Sequence, residues 1–459
     1  MRNALRYASG LVAVSAIAAI TVPVVARTQT PAPQARATLA LVGGTLIDGH
    51  GGPILTNSVV LVDGQRITAI GQVGRLAVPP GTRVVSTEGM FVLPGLWDMH
   101  VHLMLAGHGN YAHWDLKYPP LLEPQIIPAT ARQTLLAGVT SVRDLGSPLE
   151  PMLRVRERIT RGEIPGPTIY MSGPFIQHTP YPGTEAFRWG VNGAEDARTK
   201  VRRLAEAKVD VIKLIDQDEM TMEEIRAVVD EAHKHRLPVI AHSHRPEEIR
   251  RGLAAGVDGF EHTGLATAWE YPADIVDGLR ARAAQGNKPP LFWTPTIDVL
   301  TNFDARRDDL EFLDDPAWRL GLADSVARDI RGSLARLDTL TYYRFVPNRK
   351  PTLANKFRQL RESGVRLLIG TDAGVPASFH GPATISEMIT WVRAYGMDPM
   401  DVIRAATFWP AVAMNVEREN GSVAVGKYAD IIAVRGNPLR DMGVLRNVDV
   451  VVKRGQVVK

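Results

Sequence analysis

The chain predicts an α/β fold: parallel strands alternating with helices and closed into a (β/α)8 TIM barrel, with a small β-sandwich domain formed from both termini. Three observations carry this. Short apolar runs alternate with helix-patterned stretches through the middle of the chain, several of those runs end on a histidine, a lysine or an aspartate, and strand-and-turn patterns recur at the two ends. Strands alternating with helices imply βαβ units. Eight such units make a barrel whose functional groups gather at the C-terminal ends of the strands.

In chain order, Met1 to Arg6 is basic, Ala13 to Val25 is apolar and uncharged, and Val24-Val25-Ala26 ends in small residues before a polar segment. This reads as a secretory signal peptide over 1–26, cleaved after Ala26, then a linker over 27–37. A secreted or periplasmic protein is expected, with no stable membrane insertion once the leader is cleaved. The chain has no cysteine, so disulfides and a lipidated cysteine are both excluded. Thr38–Asp48 and Ser58–Ile70, the latter with an Asp63-Gly64 turn, read as strands of a first sandwich part over 38–90. Asp430–Val434 and Val448–Val458 supply the second part, over 411–459.

Between them, over 91–410, the candidate barrel strands are Val92–Leu103, Thr140–Leu145, Thr168–Ser172, Val209–Ile215, Pro238–His242, Gly259–His262, Leu291–Thr296 and Arg366–Thr371. The helices are Pro128–Ala137, Pro151–Arg161, Ala194–Lys208, Thr221–His235, Pro246–Ala255, Tyr271–Ala284, Leu353–Ser363 and Ala383–Tyr395. Their apolar residues recur at three- and four-residue spacing, as at Ile225, Val228, Val229 and Ala232. The insertion 298–351, between strands seven and eight, mixes charge with aromatics and is expected to form a helical lid over the substrate pocket.

The chemistry is carried by the strand ends. His100 and His102, one residue apart, project from one face and form a metal pincer. Lys213 lies inside the apolar run Val209–Ile215, where an ammonium is costly to bury, and its neutral amine can add carbon dioxide to give a bridging carbamate. His242, His262 and Asp372 close three further apolar runs. His244 shares a strand face with His242. Either could be the ligand; His242 is preferred because it ends the apolar run, which leaves His244 to contact substrate or to donate to a ligand from behind.

The order HxH, Lys, His, His, Asp, with the motifs LPGLWDMHVH, SVRDLG, VIKLI, AHSH, GFEHTG and GTDAG, resembles the amidohydrolase superfamily in its branch with two metals bridged by a carboxylated lysine. Within it the chain is most similar to the prolidase-type and Xaa-Pro or Xaa-Arg dipeptidase-like group, which includes amidases acting on N-acyl amino acids. The resemblance implies that His100, His102 and Asp372 bind the more buried metal, that Lys213 bridges as N6-carboxylysine, and that His242 and His262 bind the more exposed metal. It also implies the terminal sandwich. Two divalent ions are expected, with zinc the leading choice for imidazole and carboxylate ligands.

The reaction expected is hydrolysis of a C–N amide bond in a dipeptide or N-acyl amino acid, with water activated between the two metals. Asp372 would move the proton to the leaving amine, and His178 would stabilise the oxyanion. His380 and His244 would contact substrate, while Arg143 and Asp144 would form a structural pair beneath the site. Lactonase, phosphotriesterase or cyclic-amide chemistry would use the same core. A one-metal deaminase has no use for Lys213, and a non-catalytic binding protein predicts a lost ligand that the sequence does not show. The net charge of +4 is small and no basic run exceeds two residues, so nucleic acid is not expected as a partner. A small-molecule amide or peptide substrate is, and the terminal sandwich is expected to offer a contact for a homo-oligomer.

Overall fold

The structure, a computed structural model, describes residues 36–459 except 264–266, 287–288 and 341–342. The expected leader over 1–26 and most of the linker lie outside the described residues. The chain opens with β1 (Leu39–Leu46), β2 (Leu55–Asp63), β3 (Arg66–Gln72), β4 (Arg83–Ser86) and β5 (Met90–Pro94). There follow β6 (Leu96–Val101), β7 (Val139–Asp144), β8 (Thr168–Met171), β9 (Phe175–Gln177), β10 (Arg188–Gly190), β11 (Ile212–Leu214), β12 (Val239–His242), β13 (Gly259–Glu261), β14 (Phe292–Thr294) and β15 (Arg366–Leu367). The last strands are β16 (Ile431–Arg435), β17 (Val448–Lys453) and β18 (Gln456–Val457).

Strands β6, β7 and β8 pair in parallel, and a second parallel sheet runs β10-β9-β11-β12-β13-β14-β15. Backbone bonds join their margins. Met99 N donates to Ile369 O, Asp372 N to His100 O, His102 N to Ala373 O, and Asp210 N to Met171 O. Each of the eight expected helices is present, from Ile127–Leu136 to Pro382–Arg393. Met222–Lys234 shows why. The Thr221 hydroxyl accepts from Glu224 N at 3.1 Å, the Glu224 carboxylate accepts from Thr221 N at 2.8 Å, and Ile225, Val228, Val229 and Ala232 are buried along one stripe.

The expected first strand, Val92–Leu103, is in fact two. β5 pairs with β1 and β16 in the terminal sheet, whereas β6 belongs to the parallel one. The break falls at Gly95, where the backbone runs so close to β7 that a Cβ would lie 2.2 Å from Thr140 Oγ1. Only glycine permits that approach. β9 and β10 were not expected at all. They grow from the segment after β8, and they carry cavity residues described below.

The two termini meet in one mixed sheet of order β18-β17-β16-β5-β1-β2-β3, with β4 beside β1. Its inner cluster includes Leu41, Val60, Val62, Val92, Ile431 and Val452. Lys453 Nζ lies 2.7 Å from the buried Asp430 Oδ2, an ion pair within the sheet, and donates to Thr168 Oγ1 at 2.8 Å, a hydrogen bond that ties the sheet to β8. Asp430→Ala strands that ammonium. It is expected to cost about 3 kcal/mol in urea-induced unfolding, and a loss under about 1 kcal/mol would show the pair to be dispensable.

The insertion 298–351 carries its own short helices, including Asp298–Thr301, Phe303–Asp308 and Asp324–Ser333. It is fastened to the loops after β6 and β15. Asp329 accepts from His113 Nε2 at 2.8 Å and Lys117 Nζ at 2.9 Å, Gly109 N donates to Ser333 Oγ at 2.8 Å, and Tyr343 OH donates to Pro376 O.

Candidate functional site

Five strand ends deliver the site. His100 and His102, from the end of β6, stand with Asp372, beyond β15. Their ligand atoms lie within 4.8 Å of one another, with His102 Nε2 3.0 Å and His100 Nε2 3.4 Å from Asp372 Oδ1. His242, at the end of β12, forms a second group of the same tightness with His244 and His262. The groups adjoin, since the His100 and His262 rings are 4.6 Å apart. His262 and Asp372 both adopt positive φ, at 78° and 58°. Such backbone is unfavourable for non-glycine residues and is kept where the surroundings impose it, commonly at functional sites.

Lys213 on β11 is fully buried, and its Nζ has no hydrogen-bond partner. Burial pushes its ammonium down to about 8, with Glu261 opposing and Arg143 assisting that shift. Glu261, a residue that sequence reasoning missed, is the hub beneath the site. Its Oε2 lies 2.7 Å from His100 Nδ1, and its Oε1 accepts from Arg143 Nη2 at 2.5 Å and from Thr294 Oγ1 at 3.2 Å. A charge just before His262 in an apolar strand was the available signal, of the same kind that singled out Lys213. Asp98 was also missed. It accepts from His100 N and Thr371 N, both at 3.1 Å, and from the Thr371 and Thr384 hydroxyls, both at 2.7 Å, which fixes β6 against the chain beyond β15.

Electrostatically, this is a place for cations. Burial holds the imidazoles of His100, His242, His244 and His262 well below their ordinary range, and Lys213 pushes each further down. They are therefore neutral and offer lone pairs. For Asp372, burial alone would raise the carboxyl, but His100 and His102 outweigh it and hold it below the ordinary value. His100 Nε2, His242 Nδ1, His244 Nε2 and His262 Nε2 are buried without hydrogen-bond partners, as is Lys213 Nζ. A buried polar atom left unpaired costs about 1–3 kcal/mol. Neutral imidazoles whose second nitrogen is already engaged, as His100 is by Glu261 and His262 by Thr296 Oγ1 at 2.8 Å, are the donor set that divalent transition metals take. The residues present fit the expected metals.

A cavity of about 290 Å³ opens on these groups. His102, His242, His244, His262 and Asp372 line it together with Tyr111, Asp115, Phe175, Tyr181, Phe187 and Arg188. No described residue of the insertion 298–351 is among its lining, so the expected lid does not wall the cavity.

Three expectations are corrected. His178 is 43% exposed and faces Glu224 Oε2 at 3.6 Å, because β9 ends at Gln177 and the chain turns outward; it does not line the cavity, where the expected oxyanion donor would stand. His380 is buried against the loop after β6, with Nε2 2.9 Å from Leu105 O, so it braces that loop and is not among the residues lining the cavity. Arg143 and Asp144 do not pair, since neighbours on a strand face opposite ways. Arg143 turns to Glu261 and to Met99 O, while Asp144 Oδ2 accepts from Leu103 N. His242 and His244, the two candidates for the ligand at this strand end, both lie in one cluster with His262.

Imidazole and carboxylate groups gathered beside a cavity at the C-terminal ends of parallel strands define a metal-dependent α/β hydrolase. The chain belongs to the amidohydrolase family, which it matches over residues 91–458. It is 25% identical to the ochratoxinase of Aspergillus niger over 88% of this chain and 82% of that protein. It is also 25% identical to the imidazolonepropionase of Aeromonas hydrophila over 85% of this chain and 88% of that one. Among solved structures, a Xaa-Pro dipeptidase with methionine bound in its active site superposes with a TM-score of 0.69 at 25% identity, over 92% of this chain and 99% of that chain. The protein is accordingly a hydrolase acting on carbon–nitrogen bonds.

Proposed function

We propose that the protein is an exported two-metal hydrolase that cleaves the amide bond of a dipeptide or an N-acyl amino acid. The observation that carries this reading is the set of buried, unpartnered nitrogens of His100, Lys213, His242, His244 and His262 gathered near Asp372. Two divalent cations, zinc foremost, suit that set. His100, His102 and Asp372 would hold one and His242 and His262 the other, with Lys213 as N6-carboxylysine between them. When bound, they would supply an activated water and a polarised scissile carbonyl.

The chain's own groups do the rest. Asp372, held ionised by His100 and His102, takes the proton of the attacking water and returns it to the leaving nitrogen. Glu261 fixes the His100 ring through Nδ1. His244, on the cavity wall, contacts substrate. The likeness to a Xaa-Pro dipeptidase supports the dipeptide class. The same reading takes the two parallel sheets as one closed (β/α)8 barrel and the terminal sheet as a curled sandwich. It takes 1–26 as a cleaved signal peptide and the assembly as a homo-oligomer.

Metal analysis after supplemented purification tests it, alongside turnover of a panel of dipeptides and N-acyl amino acids. About two equivalents per chain and hydrolysis of that panel are expected. His100→Ala is expected to lose metal and activity while circular dichroism stays native. One equivalent with full activity would sink the two-metal reading.

A further inference from the structure

Among the cavity groups that the hydrolytic machinery leaves unused is the cation Arg188. It stands on β10, opposite Phe175 of β9. Three aromatic rings wall its guanidinium, with centroids at 4.4 Å for Tyr181, 4.9 Å for Phe175 and 5.7 Å for Phe187. Nη1 donates to Gln177 Oε1 at 3.0 Å, a neutral acceptor, and the buried Nε has no partner. Among the described residues no carboxylate oxygen lies within 4.0 Å of it, whereas the buried Arg143 and the half-buried Arg306 each pair with a carboxylate. Two acidic groups act on it from further away. Asp216 is already engaged by Tyr181 OH at 2.9 Å and Arg245 Nη2 at 3.1 Å. Asp115, on the cavity wall, is pushed up to about 6 by burial, with Arg188 opposing.

A guanidinium has five N–H donors in a fixed plane. Here one donor has a side-chain acceptor, and aromatic walls and a glutamine hold the plane in place. The arrangement is preorganised for an anion that the protein does not itself supply. The cavity it faces also contains His102, His242 and Asp372.

We infer that Arg188 is the specificity-determining residue of this site and that it binds the free carboxylate of the substrate. This rests on the amide-hydrolase reading above and sharpens it. At about 290 Å³ the cavity is small, so the carboxylate and the scissile carbonyl belong to one compact molecule. The enzyme then removes a single carboxy-terminal residue, from a dipeptide or an N-acyl amino acid. Internal peptide bonds, neutral ureas and amidated substrates leave the half-buried Arg188 without an anion to pair with, and are discriminated against.

Two measurements on the metal-loaded protein test this. The first compares kcat/KM for N-acetylphenylalanine, as the free acid and as its primary amide, in wild type, Arg188→Gln and Arg188→Lys. The acid is expected to be preferred about 10- to 100-fold by wild type. That ratio should collapse toward one in Arg188→Gln and recover only in part in Arg188→Lys, whose ammonium lacks the planar fork. The second, by calorimetry, reads binding of 3-phenylpropionate against 3-phenylpropanamide, with the same ordering expected. The wild-type comparisons need no variant, so a misfolded Arg188→Gln leaves the test standing. Equal affinity for acid and amide in wild type, or an acid affinity untouched by Arg188→Gln, overturns the inference. Acid-selective binding that depends on Arg188, without turnover of either substrate, supports the carboxylate subsite and overturns the amide-hydrolase reading instead.

Discussion

Replacing Lys213 with Met is expected to abolish hydrolysis and metal binding together while leaving the metal-free fold at least as stable as wild type. The side chain is fully buried with no partner for its ammonium, so as a plain lysine it is a liability to the fold. Methionine keeps its length and removes the charge. Exchanging a buried ion for an apolar residue of similar volume is commonly neutral or stabilising, by about 1–4 kcal/mol. Thermal unfolding with chelator present reads that side of the prediction. Activity and metal content read the other, where a fall of at least about a hundredfold in activity is expected. Lys213→Ala opens room at the same place, so short carboxylic acids are expected to restore part of the activity by replacing the lost anion. A metal-replete, fully active Lys213→Met protein would falsify the bridging role.

Glu261→Ala is expected to have the largest effect on stability, about 3–5 kcal/mol in urea-induced unfolding, because it strands Arg143, which is 1% exposed. Burial pushes Glu261 up to about 6 and also lowers Arg143, yet each is the other's principal opposing charge, so the pair holds only as a pair. The same change frees His100 Nδ1, and metal affinity is expected to drop about 10- to 100-fold. Adding Arg143→Met to Glu261→Met separates the two effects, since it removes the stranded charge but not the loss at His100. Recovery of stability without recovery of metal is the expected outcome. If metal affinity returns as well, Glu261 acts on the fold alone.

What was legible in the sequence was whatever a short stretch declares by itself. The apolar stripe Ile225, Val228, Val229 and Ala232 marks its helix, and Thr221 with Glu224 marks where that helix begins. Lys213 could be picked out because a charge in an apolar run is anomalous wherever the run ends up. The strand ends at His100, His102, His242, His262 and Asp372 were visible for the same reason. That they converge followed from the alternation of strands and helices, which constrains parallel neighbours.

The tertiary structure alone decided the partners. Glu261 meets His100 across 161 residues and Arg143 across 118, and nothing local to any of the three announces it. The break of the first strand at Gly95 depends on how near β7 passes, which composition does not encode. His178 and Arg188 both follow β8 in the chain. The short strands β9 and β10 turn one out to solvent and the other into the cavity. The sequence by itself determined which residue types stand at the strand ends, because hydrophobic periodicity is a local property. The approach of distant backbones, and so the facing of a side chain in a loop, is set by packing among elements far apart in the chain, and that determined which of those residues share a site.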